Sequence, residues 1–305
     1  MIAGYWAMKG LSSVFCHSPK FIRKMTASFL GSIAWAFTPM WRKTMAVENI
    51  KACLGVTDGR AQEIAEDSVR RFGRMLVEVL RFPVLTQNNI RETVRLQGEE
   101  YLDAAYRQGK GVILCTAHFG NWELLGAAVA LLGYPILSVA RRQNNSAMDD
   151  FINEYRELAG QKIVYNRGEN SMLAINRIIR DKKILGVIYD QDGGADGVET
   201  IFFGRRSRVP SGAALLSRLH GAPIVPFFIH NDADEKSTIK IYPPLYAQRT
   251  GSRAEDLRLA TEELMLLAEQ EIISDPAMWF WVHDRWKDGR KKYKKKEGET
   301  DDAGN

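Results

Sequence analysis

The chain is poor in the features that mark a stapled, metal-bound or nucleotide-bound protein. It holds three cysteines, Cys16, Cys53 and Cys115, with no C-x-x-C spacing and with His17 as the one histidine beside any of them. So odd and scattered a set argues against both a disulfide framework and a zinc site, and it suits a reducing compartment. There is no G-x-x-x-x-G-K-[ST] loop, no G-x-G-x-x-G fingerprint and no G-x-S-x-G elbow. P-loop, dinucleotide-binding and serine-hydrolase readings are weakened accordingly. No period of 20 to 50 residues repeats, which argues against solenoids and propellers. What is present, 45% hydrophobic, 26% charged and 10% aromatic residues in a chain of 305, is enough to bury the core of one α/β catalytic-sized unit with appendages.

Acidic residues are missing from the first 47 positions, which carry Lys9, Lys20, Arg23, Lys24, Arg42 and Lys43. The net charge is +6 there, +2 over residues 287–305 and −3 between them, so the positive excess sits at the two ends. Between Lys24 and Arg42 lie 17 uncharged residues, MTASFLGSIAWAFTPMW, with Trp35 and Trp41. Crossing a bilayer takes about 20 apolar residues, so spanning is marginal. Indoles beside basic pairs fit an interfacial anchor on anionic lipid. An amphipathic helix packed on the domain accounts for the same pattern. No small-residue cleavage site follows, so a removed signal peptide is not expected. The resulting division is a membrane-associating segment at 1–47, a catalytic domain at 48–286, and a charged, low-complexity tail at 287–305. Disorder is expected for the tail, with anionic lipid rather than nucleic acid as its natural partner.

From residue 58 a helical pattern runs up to Pro83. Beyond it come apolar runs at 111–117, 134–140, 162–166, 183–190, 222–230 and 238–245, most of them separated by helical patterns at 121–133, 146–160, 170–181 and 211–220. Near-continuous apolar strands alternating with helices predict an α/β fold with a mostly parallel central sheet and helices on both faces. Active sites in such sheets collect at the carboxyl ends of the strands.

The sharpest feature lies at such an end. The run GVILCTA leads into HFGNWELLG, so His118 leaves a strand and Glu123 enters the next helix. Five residues along one helix would put the two side chains about 140° apart, so a direct pair requires His118 in the loop, with Gly120 helping the turn. Glu123 would then hold one ring nitrogen and leave the other as a general base. A structural histidine at a helix start, with Asn121 or Glu123 as capping partner, fits the spacing as well.

The stretch GKGVILCTAHFGNWELLG resembles the signature block of the lipid A biosynthesis acyltransferases. The resemblance continues through ARRQNN (140–145), YDQDGGADGVETIFFGRRSRVPSGAALLSRLHGAPIVPFF (189–228) and WVHDRWK (281–287). Two departures are visible, Ser211 where Thr is commoner and Asp284 where a second Arg often follows the histidine. The resemblance implies a glycerolipid-acyltransferase-like fold at the cytoplasmic face of a bacterial inner membrane. It also implies transfer of a fatty acyl chain from an acyl-carrier-protein or CoA thioester to a hydroxyl of a phosphorylated glycolipid, the lipid A precursor. The thioester is a co-substrate, and no cofactor or metal is implied. His118 and Glu123 are the catalytic candidates, with Arg156 as a possible oxyanion or phosphate partner.

Substrate contacts are expected from Asn121 and Trp122 in the same motif, from Arg141, Arg142 and Asn144 after one strand, and from Asp190 and Asp192 after another. A calcium reading of the last loop fails because Gly194 and Ala195 stand where an EF-hand needs an acid and a glycine. Arg205 and Arg206 precede Ser211, a cap or near-cap of the next helix, and offer a basic docking surface for an acidic carrier protein. The competing readings are a CoA-dependent enzyme acting on a phosphatidylinositol mannoside or lysophospholipid, and a non-catalytic membrane lipid-binding protein.

Overall fold

The computed structural model describes residues 2–142, 145–166, 171–232 and 236–286. Asn144 and the expected tail 287–305 lie outside them. The strands are β1 (Val94–Gln97), β2 (Val112–Thr116), β3 (Ile136–Ala140), β4 (Lys162–Tyr165), β5 (Ile184–Ile188), β6 (Val198–Phe202), β7 (Arg205–Val209), β8 (Ile224–Asn231) and β9 (Ser237–Ile241). The helices are α1 (Ile2–His17), α2 (Lys20–Ala36), α3 (Met40–Leu54), α4 (Asp58–Val79), α5 (Ile90–Thr93), α6 (Glu99–Arg107), α7 (Trp122–Leu131), α8 (Ser146–Leu158), α9 (Ser171–Arg180), α10 (Gly212–His220) and α11 (Arg253–Ser274).

Seven strands form one sheet in the order β1-β9-β8-β2-β5-β3-β4, parallel throughout except for β8 against β9. All six apolar runs are strands of this sheet. β2 is buried along its whole length, as a strand covered on both faces must be. Alternate residues of β2 face opposite ways: Ile113 and Cys115 join one core with α4, α9, α10 and α11, while Val112 and Leu114 join another with α6, α7 and α8. The hairpin β6–β7 stands apart from the sheet. Alternating charged and buried residues build it, a period-2 pattern that reading for continuous apolar runs passes over.

The N-terminal region is not a separate segment. The boundary at 47 falls inside α3, where Met45 and Ala46 are fully buried. The uncharged stretch is broken, because α2 ends at Ala36 and Pro39 caps the start of α3. On α1, Lys9 pairs with Glu154 of α8 at 2.6 Å, and Ser12 donates to the Leu80 carbonyl at 2.6 Å. Helices α2 and α4 cross at two glycines. A Cβ on Gly73 would stand 2.0 Å from the Ala27 carbonyl oxygen, and one on Gly31 would stand 2.3 Å from that of Arg70, so only glycine permits this approach. Among the described residues no helix is long and apolar enough to cross a membrane.

Candidate active site

β2 and β5 are neighbours in register, Thr116 opposite Ile188, and each chain continues two residues past the last pair. His118 and Asp190 therefore leave the sheet side by side. Asp190 Oδ1 lies 2.7 Å from His118 Nδ1, and its Oδ2 accepts from the His118 backbone N–H at 3.0 Å and from Trp279 Nε1 at 2.7 Å. Burial opposes ionisation of Asp190. The electrostatic attraction of the His118 ring and the hydrogen bonds from His118 and Trp279 outweigh it and hold the carboxyl down at about 2. His118 Nε2 faces the Gln191 amide nitrogen at 3.2 Å, the arrangement of a ring that carries its proton on Nδ1 and keeps a lone pair on Nε2.

The loop that holds His118 is made by backbone pairing. Phe280 N–H donates to the His118 carbonyl at 3.1 Å, and Gly120 N–H donates to that of Met278 at 2.9 Å. Gly120 has φ +61°, and a Cβ there would lie 2.1 Å from the Ile229 carbonyl oxygen. Trp279 went unrecognised as a site residue in the sequence, although a buried indole N–H needs a partner and it adjoins the WVHDRWK stretch.

Glu123 does not orient His118. From the first turn of α7 its carboxylate turns to α8 and takes Arg156 in a two-pronged pair, Nε to Oε2 at 2.7 Å and Nη2 to Oε1 at 2.6 Å. Asn153 accepts from Arg156 Nη1 at 3.0 Å. The carboxylate on the histidine is Asp190, expected from the sequence as a substrate contact. Nor does Arg156 present a free guanidinium to an oxyanion. Desolvation works against its charge and Glu123 restores it, leaving its pKa raised.

Asn121 is held at both atoms of its amide, its Oδ1 capping α7 through Leu124 N–H at 3.0 Å and its Nδ2 donating to Glu78 at 2.7 Å. Trp122 packs edge-on against the His118 ring with centroids 5.0 Å apart, and Phe72 packs against Trp122. Together with Glu78 and Phe280 they line a small pocket at His118.

The remaining expected contacts are dispersed. Arg141 and Arg142 are exposed after β3, Arg142 lying 4.9 Å over the Tyr165 ring. Asp192 follows the dyad's strand and is half-buried. Arg205 is half-buried, bonded to Asn49 at 2.8 Å and stacked 4.1 Å over Trp286, whereas Arg206 is exposed. Ser211 stands at the start of α10 but makes no side-chain cap bond. Burial pushes the Cys53 thiol up to about 12 and Cys115 higher still, which disfavours a thiolate at either. Among the described residues no three His, Cys, Asp or Glu side chains converge as a metal site.

The chain matches the family model of the bacterial lipid A biosynthesis acyltransferases over residues 1–288. It is 26% identical over 244 residues to the phosphatidylinositol mannoside acyltransferase of Mycobacterium tuberculosis, covering 78% of this chain and 75% of that one. It is 24% identical over 262 residues to the lipid A biosynthesis palmitoleoyltransferase of Escherichia coli, covering 85% and 82%. Among solved structures, the 1-acyl-sn-glycerophosphate acyltransferase PlsC of Thermotoga maritima aligns with TM-score 0.37 and 14% identity over 87% of this chain and 97% of that one.

Two predictions separate the roles of these acids. Removing one partner of a buried pair strands the other, so Glu123→Ala should lower the unfolding free energy by about 3 kcal/mol, with part of that loss recovered in Glu123→Leu/Arg156→Leu; denaturant titration of the three proteins checks it. Asp190 has its carboxyl lowered from 3.8 to about 2, so its contribution to stability is present above 3.8 and lost as pH falls toward 2. Thermal unfolding across that window should fall more steeply for the wild type than for Asp190→Asn.

Proposed function

The chain belongs to the bacterial lipid A biosynthesis acyltransferase family, and on that premise we propose that it moves a fatty acyl chain from an acyl-carrier-protein thioester to a hydroxyl of a lipid A precursor. Acyl transfer to a glycolipid is the chemistry of the family; the donor, the base and the membrane surface are our reading. The observation that carries it is the His118–Asp190 pair at the carboxyl edge of β2 and β5.

In this mechanism His118 Nε2 takes the proton of the acceptor hydroxyl as its oxygen attacks the thioester carbonyl carbon. The tetrahedral intermediate collapses with cleavage of the C–S bond, and the departing sulfur receives the proton from the imidazolium. Asp190, ionised and fixed by Trp279, keeps Nδ1 protonated and stabilises the imidazolium between the two transfers. No covalent enzyme intermediate is needed, since the thioester is already activated. Glu123 and Arg156 act as positioning residues that clamp the start of α7 to α8, and thereby the Asn121–Trp122 wall beside His118.

The membrane reading rests on exposed apolar side chains of α1, α2 and the turn after them: Trp6, Phe21, Met25, Phe29 and Phe37 are each more than 60% exposed. An apolar face of this extent beside lysines and arginines suits interfacial binding, here at the cytoplasmic leaflet of the inner membrane. The acceptor has a second candidate, because the relatives include a phosphatidylinositol mannoside acyltransferase as well as lipid A enzymes, at nearly equal identity.

Purified protein incubated with carrier-protein or CoA thioesters and each acceptor, with the product read by mass, decides donor and acceptor together. His118→Ala and Asp190→Ala should each slow transfer by about 10²-fold or more; near-wild-type rates in either folded variant would remove the dyad from the mechanism. Phe21→Ser/Phe29→Ser should shift the protein from sedimenting vesicles to the supernatant, and undiminished sedimentation would count against α2 as the anchor.

A further inference from the structure

Between α2 and α4 opens a cleft of about 700 Å³, and its walls are mostly cationic. Three of its arginines are neutralised: Arg70 pairs with Glu66 at 2.7 Å, Arg71 with Asp275 at 3.2 Å, and Arg74 with Glu78 at 2.6 Å. Two are not. Arg23 donates to the Ser18 carbonyl at 2.7 Å, Arg81 has its Nε buried without a hydrogen-bond partner, and neither has a carboxylate partner among the described residues. Burial, and then the charge of Arg81, pull the Arg23 guanidinium below its ordinary value. Two unneutralised, mutually repelling guanidiniums in one recess cost stability unless an anion joins them.

The position of the cleft says which anion. It shares Arg71, Arg74 and Glu78 with the pocket at His118, and Glu78 in turn holds Asn121 at the start of α7. Lys20, Arg23, Lys24 and Ala27 line it from one face of α2, while Phe21, Met25, Phe29 and Ile33 are exposed on the other. A lipid whose chains stay with the apolar face can bring its headgroup into the cleft and a sugar hydroxyl on to His118. The volume is that of a small-molecule headgroup; a folded carrier protein needs roughly 800 Å² of surface on each partner and would touch only the rim.

We propose that this cleft is the subsite for a phosphate group of the glycolipid acceptor, with Arg81 and Arg23 as its ligands. The proposal rests on the acceptor reading above and adds where the phosphate binds. It sets the acceptor's phosphate apart from the exposed arginines Arg141, Arg142 and Arg206, and it makes the charge of the acceptor, not only its hydroxyl, a determinant of specificity.

The test compares wild type, Arg81→Gln, Arg23→Gln/Arg81→Gln and the charge-preserving Arg81→Lys, each confirmed as folded by its thermal transition. The phosphorylated acceptor should show a KM raised about tenfold or more in the Gln variants, with a smaller effect in Arg81→Lys. The wild-type preference for phosphorylated over dephosphorylated acceptor should shrink by the same factor, while the KM for the thioester donor stays within twofold. Calorimetric titration with inorganic pyrophosphate, which needs no turnover, should show binding in wild type that is lost in the double variant. Loss of pyrophosphate binding in a protein that acylates neither glycolipid would keep the anion subsite and defeat the functional reading. Active glycolipid transfer with unchanged phosphate preference, an altered donor KM alone, or pyrophosphate binding indifferent to both arginines would each overturn the subsite.

Discussion

Parallel pairing of β2 with β5 is the constraint on which the rest of the site depends. Because Thr116 and Ile188 are opposite one another and both chains run on by two residues, His118 and Asp190 emerge together with no long-range adjustment of either loop. A slip of one residue would turn the slipped strand's side chain to the opposite face of the sheet and separate the pair. Everything else secures that placement. The 278–280 segment pairs with the His118 loop and supplies the Trp279 indole to Asp190, while Gly120 lets the loop pass close beneath β8. A buried carboxylate is expensive, and here three hydrogen bonds and the imidazole make it the favoured form.

Glu123, the acid of the motif, pairs with Arg156 and not with His118. The pair is largely dry and two-pronged, the geometry in which a guanidinium and a carboxylate best offset their desolvation. It ties α7 to α8 at the level of the dyad, so the wall formed by Trp122 stays against His118. The spacing H-x-x-x-x-E thus brings the histidine ring and an acid paired elsewhere to one helix start without bringing them into contact.

The N-terminal helices and the candidate site belong to one packed body. α2 lies on α4 through two glycines, and α4 carries Glu78, Phe72 and Arg71 into the wall of the His118 pocket. Under the proposed function, an anchor built this way would hold the candidate site at a set height above a lipid surface. A flexible tether would leave that height free. The same packing creates the cationic cleft, since the first turn of α2 and the length of α4 bring their basic residues to face one another.

The fold class, the six apolar strands and the placement of His118 at a strand end were legible from the amino-acid sequence, because local hydrophobic periodicity reports which residues are buried and on how many faces. The proposed base, His118, was likewise singled out by the sequence, since it lies in a short, distinctive motif. Its partner was not: Asp190 is 72 positions away, and nothing local states which strand lies beside which. Tertiary structure alone decided that Asp190 and not Glu123 holds the imidazole, that Trp279 holds Asp190, and that Arg156 is paired. It also decided that Arg23 and Arg81 face the same cleft. Strand order and helix crossing are set by the packing of the whole core, and side chains far apart in sequence meet only after that packing is complete.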